Sequence, residues 1–150
     1  MTALIRDSSV WSAPEIENYL RQMEIPIRLA CVDGSGAPLL CSLWYLYDDG
    51  VLWCATQSGA NVARLLKQRS RCAFEIAGDE MPYRGVRGQG TAVLVPAQGE
   101  AMLAELLQRY LGTLETKFAR WLLSRADDEV AIRITPEWLT SWDFTTRMTS

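Results

Sequence analysis

The stretch PLLCSLWYLYDDGVLWCATQSGANVARLLKQ, residues 38–68, decides the fold that this sequence predicts. Residues 39–47 form an almost unbroken apolar and aromatic run. Asp48-Asp49-Gly50 follows as a turn signal, because aspartate bonds its own backbone and glycine accepts a positive φ. Residues 51–55 supply a return strand, and a polar loop leads into a short helix over residues 60–67. The stretch therefore predicts a β-hairpin followed by a helix.

The outgoing strand of this hairpin is apolar on both faces. One face carries Cys41, Leu43 and Tyr45, and the other carries Leu40, Trp44 and Leu46, with Ser42 as the polar exception. A strand with one side in water would alternate polar and apolar residues, so we expect this strand to be covered on both sides. One cover is the core, and the other is a helix, a ligand or a second subunit.

The rest of the chain predicts a small antiparallel barrel of the α+β type. An amphipathic first helix begins at the capping-box residue Ser12 and ends before Pro26. Further strands are predicted over residues 27–32, 72–77, 83–95 and 129–135, and helices over residues 98–111 and after Gly112. The first hairpins leave no room for the crossover helices of a doubly wound sheet, so about six strands close into a barrel.

Composition narrows the function classes. The 150 residues suffice for one domain with its own core, and no apolar run approaches the ~20 residues of a membrane span. No secretion signal begins the chain, so a cytoplasmic protein without a membrane partner is expected. The net charge of −3 argues against nucleic-acid binding.

The absence of histidine and the positions of the cysteines exclude several kinds of catalytic and metal site. The absence of histidine removes Ser-His and Cys-His nucleophile pairs and most zinc or iron sites, and we expect no metal site. Cys31, Cys41, Cys54 and Cys72 each lie in an apolar β-like segment without CxxC spacing, which predicts buried free thiols.

Two segments are candidate ligand sites. The glycines of RGVRGQG, residues 84–90, run in the reverse order of a dinucleotide fingerprint and instead predict a bulge or a close approach of backbone or ligand. Residues 56–61 leave a strand and enter a helix, whose free N–H groups and dipole suit a phosphate, with Arg64 and Lys67 adding charge. An ordinary capped helix accounts for the same pattern. Together with the two-sided aromatic strand, the loop suggests a planar phosphorylated ligand.

Five segments in order carry a resemblance to a known family. They are LACVDGSGAPLLCSLWYLYDDGVLWCAT, NVARLLKQRSRCAFEI, PYRGVRGQGTA, QRYLG and ITPEWLTSWDF, within about residues 27–144. The set resembles the pyridoxamine 5′-phosphate oxidase-like family of FMN-binding split β-barrels, and its short members most closely. The resemblance implies an α+β fold, a six-stranded antiparallel split β-barrel with flanking helices, in one FMN-binding domain over residues 1–150. It also implies a homodimer with two flavins held between the subunits.

The resemblance also implies site residues. By position, Cys41, Ser42, Leu43 and Trp44 would line the isoalloxazine ring, and Thr56, Ser58, Asn61 and Val62 would surround the ribityl phosphate. Arg84, Gly85 and Trp142 would lie near the ring or substrate, with Arg84 as the catalytic residue that stabilises negative charge. Many relatives place a lysine or an Arg-Lys pair where this chain has Ala60-Asn61. Arg28, Arg64 or Lys67 would then have to supply the phosphate clamp.

Three functions are compatible with this resemblance. The first is an FMN-dependent oxidoreductase acting on a small organic substrate, and the second is a reductase that uses a deazaflavin. The third is a non-catalytic dimer that binds flavin or haem, although a chain without histidine cannot supply a histidine ligand to haem. In the enzymatic cases the cofactor carries the redox chemistry and the protein orients it and excludes water.

Overall fold

A strongly curved sheet dominates the computed structural model, which describes residues 3–149. Its strands follow the order β3-β2-β6-β7-β8-β5-β4, all neighbours along this path being antiparallel, and β1 pairs in parallel with β8. The eight strands are β1 (Leu4–Ile5), β2 (Ile27–Val32), β3 (Pro38–Leu43), β4 (Leu46–Asp48), β5 (Val51–Gln57), β6 (Arg71–Ala77), β7 (Arg84–Val95) and β8 (Glu129–Asp143).

Helices cover the ends and one face of this sheet. They are α1 (Ala13–Gln22), α2 (Asn61–Gln68), α3 (Gly99–Leu111), α4 (Lys117–Ser124) and α5 (Thr145–Met148). The predicted first helix is confirmed: the Ser12 hydroxyl accepts from the Glu15 N–H, and the Glu15 carboxylate accepts from the Ser12 N–H at 2.8 Å. None of the helices within residues 3–149 has the length and hydropathy needed to cross a bilayer.

The observed hairpin contains fewer residues than the apolar run of the sequence predicted. Residues 39–47 do not form one strand, because β3 pairs with β2 while β4 pairs with β5, at opposite ends of the sheet. Trp44 and Tyr45 carry the chain from one end to the other. The turn at Asp49-Gly50 is confirmed, with φ of 46° and 81°. Because this run is divided and the short β1 is added, the sheet has eight strands where six were predicted. The predicted α+β split-barrel class is confirmed.

The barrel interior is filled by apolar side chains of the sheet, with α1 and α2 packed against it. Its fully buried members include Ile16, Leu20, Ile27, Leu29, Leu52, Ile76, Val86, Ile132 and Ile134. A second apolar layer lies under α3, where Met102 and Leu106 pack against Ala131. This layer covers the face of β8 that points away from the barrel interior, so Ala131 is fully buried.

Glycines in β7 allow a close approach between strands. The β7–β8 register shifts between Gln89 and Gly90, which confirms the predicted bulge. A Cβ atom at Gly90 would lie 2.2 Å from the Thr135 carbonyl oxygen, and one at Gly88 would lie 2.4 Å from that of Trp138. Only glycine fits at these points.

Candidate functional site

A cleft of about 340 Å³ opens where the two ends of the curved sheet approach each other. The chain crosses from β3 to β4 on one side of it, and α3 and α4 form the other side. Its walls are mainly apolar, with polar groups gathered at the end of β5. The lining residues are Pro26, Ser42, Leu43, Trp44, Ala55, Thr56, Gln57, Leu103, Leu106, Phe118, Leu122, Arg125 and Glu129.

Four of the predicted site residues meet in this cleft: Ser42, Leu43, Trp44 and Thr56. Cys41 precedes them on β3, where it is partly buried against the barrel core and does not line the cleft. The Arg28 guanidinium donates to the Ser42 hydroxyl at 2.5 Å, so this cation is engaged at the rim.

The Trp44 indole is held in one plane by Tyr110 of α3. The two rings stack with centroids 5.1 Å apart and planes 10° apart. The Tyr110 hydroxyl accepts from the Tyr45 N–H at 3.1 Å and donates to the Ile25 carbonyl at 2.8 Å, with the Tyr45 carbonyl at 3.2 Å as a second acceptor. Tyr110 therefore fixes both the β3–β4 crossing and the aromatic wall of the cleft.

The predicted phosphate loop lies beside the cleft. Ser58, Asn61 and Arg64 are exposed and do not line the cleft, whereas the Val62 side chain is buried in the core. The Ser58 N–H donates to the Asp128 carbonyl at 2.8 Å, which ties the loop to the start of β8. Ala60 caps α2 without a side-chain hydrogen bond, so the first turn keeps free N–H donors. The Arg64 guanidinium donates to the Asn61 amide oxygen.

Three of the predicted site residues lie outside the cleft. Gly85 pairs with Trp142 where β7 begins and β8 ends, and a Cβ atom at Gly85 would lie 2.8 Å from the indole. Arg84 lines a separate cavity of about 600 Å³ between α1 and residues 78–82. Within one chain, the structure does not bring Arg84, Gly85 and Trp142 together with Trp44.

Polar groups that the sequence analysis missed form one end of the cleft. The Gln57 amide donates to the Arg125 carbonyl at 3.1 Å and to the Glu129 carboxylate. Burial raises the pKa of the Glu129 carboxyl group, and the Gln57 hydrogen bond and the Arg125 charge partly oppose that rise. The available signal for Glu129 was an acidic residue at the first position of a predicted strand. Nothing in the sequence pattern placed Phe118 and Leu122 of α4 here.

The side chains that line the cleft fit a planar ring that carries a polar chain. Apolar side chains and the fixed Trp44 suit a ring, while Thr56 and Arg125 can bond hydroxyl or anionic groups and the Gln57 amide oxygen can accept from a hydroxyl group. Among the described residues, no cluster of three or more cysteine, aspartate and glutamate side chains could hold a metal ion. The four cysteines are free thiols as predicted, with Cys31, Cys54 and Cys72 buried and Cys41 partly buried.

Known proteins share this fold. The family model described as pyridoxamine 5′-phosphate oxidase matches residues 13–143. A conserved hypothetical protein, Rv2991 from Mycobacterium tuberculosis, is 27% identical, with 92% of this chain and 88% of that chain covered and a TM-score of 0.76. An F420 reductase is 23% identical over 82% of this chain and 94% of its own, with a TM-score of 0.70.

The heme storage protein HutZ from Vibrio cholerae is 19% identical over 87% of this chain and 93% of its own, with a TM-score of 0.65. No curated protein matches the chain. The family model spans most of the chain, and these structures have the same curved sheet. The protein therefore belongs to the pyridoxamine 5′-phosphate oxidase-like family.

Proposed function

We propose that this protein binds FMN in the cleft and is an oxidoreductase that acts on a small organic substrate. The observation that carries the proposal is the meeting of Ser42, Leu43, Trp44 and Thr56 around one mostly apolar cleft. The flavin would supply hydride or electron transfer, and the protein would supply binding, orientation and exclusion of water. The domain of residues 1–150 then acts as one FMN-binding unit.

The chain's own residues would divide these tasks. Leu43 and Trp44 would bind the ring, with Trp44 kept in plane by Tyr110. Leu103, Leu106 and Leu122 would exclude water from the opposite side. Thr56 and Gln57 would bond the polar chain, and the free N–H groups at the start of α2 would face its phosphate.

A homodimer would complete the site. Because Arg84, Gly85 and Trp142 lie away from Trp44 in one chain, we propose that a second subunit brings them to the cleft, with Arg84 stabilising negative charge on the reduced ring or the substrate. The doubly apolar strand gives limited support: Trp44 and Leu46 are covered by α3 of the same chain, whereas Leu40 is 70% exposed. Leu40 is thus the residue of that face left for a partner.

A deazaflavin is the second candidate cofactor. An F420 reductase has this fold, and this chain lacks the cation that many relatives place at Asn61. Arg64 bonds Asn61 and is only partly available as a substitute. FMN binding should therefore be weaker than in relatives that keep the lysine.

The test is the absorbance spectrum of the purified protein, with the released cofactor identified by mass. Bound FMN would support the proposal, and a deazaflavin would select the second candidate. If the protein is isolated without cofactor, titration with FMN and riboflavin follows. Equal affinities would place the phosphate outside residues 56–61, and binding of neither flavin nor deazaflavin would refute the proposal.

A further inference from the structure

Two of the buried cysteines face each other across neighbouring strands. β2 and β6 are antiparallel, with Arg28 opposite Glu75, Leu29 opposite Phe74 and Ala30 opposite Ala73. The same register, continued by one residue, places Cys31 opposite Cys72. Both residues lie inside their strands, since β2 continues to Val32 and β6 begins at Arg71.

The two thiols also lie on the same face of the sheet. Cys31 is 3% exposed and Cys72 is 6% exposed, and both belong to the same core cluster. Directly opposite residues of an antiparallel pair have Cα atoms about 4.5–5.5 Å apart, and disulfides span Cα separations of about 4.4–6.8 Å. A bond between the two sulfur atoms therefore requires only a small adjustment of the strands.

We propose that Cys31 and Cys72 are a redox pair that closes into a cross-strand disulfide when a peroxide oxidises the protein. A surface cleft of about 400 Å³ adjoins the pair, and its walls include both cysteines together with Val32, Pro38 and Arg71. Because the two thiols face the core, peroxide reaches them from this cleft when the strand ends open locally. This pair is distinct from the flavin site and does not depend on it.

The chemistry balances with the peroxide as oxidant. One thiolate attacks an oxygen of the peroxide, the O–O bond breaks, and a sulfenic acid and hydroxide form. The second thiol then attacks that sulfur atom, the S–S bond forms, and water leaves. Two thiols and one hydrogen peroxide thus give one disulfide and two waters.

The first step is assigned to Cys31. Burial raises the pKa of the Cys72 thiol to about 12, and the neighbouring Cys31 thiol adds to that rise. Burial also raises the pKa of Cys31, with no further group opposing its ionisation. Because the thiolate is the reacting form, the reaction should be slow near neutral pH and faster as the pH rises.

The other two cysteines are less well placed. The β2–β3 register puts Cys41 opposite Leu29 and Cys31 opposite Leu39, so Cys41 is offset from Cys31 by two positions. Cys54 lies on β5, which pairs with β8 and β4, so its thiol approaches Cys41 and Cys72 across the barrel interior and not from a directly opposite position on a neighbouring strand. These two residues supply matched controls for the test.

The experiment treats the native protein with hydrogen peroxide at several pH values and maps the disulfides by non-reducing digestion and mass spectrometry. We expect a peptide linked through Cys31 and Cys72, formed faster at higher pH and released by dithiothreitol. Closing a loop of this length should raise the Tm of the oxidised protein by roughly 10 °C. Cys31→Ala and Cys72→Ala should abolish the link and the shift, whereas Cys41→Ala and Cys54→Ala should keep both.

Three outcomes would overturn the proposal. They are four thiols that stay free, a linkage between another pair, and oxidation of single cysteines to sulfinic acid without any bond between them. Mapping of the wild-type protein decides among these without any variant, so a poorly folded mutant does not obscure the answer.

Discussion

Removing one oxygen atom tests whether Tyr110 holds the β3–β4 crossing together. Tyr110→Phe keeps the ring that stacks on Trp44 but deletes the hydroxyl that bonds Tyr45 and Ile25. Each lost bond contributes about 1 kcal/mol, and backbone groups left unpaired in a partly buried site add to that cost. We expect the free energy of unfolding to fall by about 2–3 kcal/mol.

The assay is thermal and urea unfolding of the purified protein. For a domain of this size, such a loss lowers the Tm by roughly 5–10 °C. Tyr83→Phe is the matched control, because the Tyr83 side chain is exposed and its hydroxyl has no hydrogen bond to residues 3–149. If both variants change the Tm by the same small amount, Tyr110 contributes through ring packing alone. The conclusion that its hydroxyl fixes the β3–β4 crossing would then be refuted.

Three further changes test other parts of the structure. Gly90→Ala should lower the free energy of unfolding by about 3 kcal/mol or more, because the new Cβ atom would lie 2.2 Å from the Thr135 carbonyl oxygen. Gly59→Ala is the control, since a Cβ atom there meets no atom within 4 Å, and equal effects of the two changes would contradict the close approach at Gly90. Asn61→Lys should tighten FMN binding about tenfold and leave riboflavin unchanged, because only FMN gains a charge-assisted bond; equal gains for both ligands in a fluorescence titration would count against a phosphate at this loop. The raised pKa of Glu129 means that folding favours its protonated form, so wild-type stability should fall as pH rises from the usual carboxyl pKa through the raised one. Glu129→Gln should flatten urea-unfolding stability over that window, and an unchanged slope would show that another group titrates there.

Local patterns predicted the elements whose causes are local. The Ser12 capping box placed the start of α1, and the Asp49-Gly50 turn placed the β4–β5 hairpin. Ordered motifs over most of the chain were enough to identify the family and its fold class. Each of these signals depends on residues only a few positions apart or on a likeness that spans the whole chain.

Features that depend on distant parts of the chain were not predicted. The apolar run of residues 39–47 looks like one strand, and only the curvature of the whole sheet explains why it divides at Trp44 and Tyr45. The place of α4 over the cleft depends on how α3 packs against β5 and β8. The distance between Arg84 and Trp44 is likewise a property of the full sheet. Sequence reasoning found part of the cleft wall and missed its polar end at Gln57 and Glu129.

The unjoined ends of the curved sheet have a consequence for aggregation. A strand at the edge of a sheet presents unpaired N–H and C=O groups that can recruit a strand from another molecule. Here β3 lies beside β5 without pairing with it, and β4 is only three residues long. Curvature thus turns the two edges toward each other, where neither offers a long free template. The same closure that shapes the cleft protects the chain from edge-to-edge polymerisation.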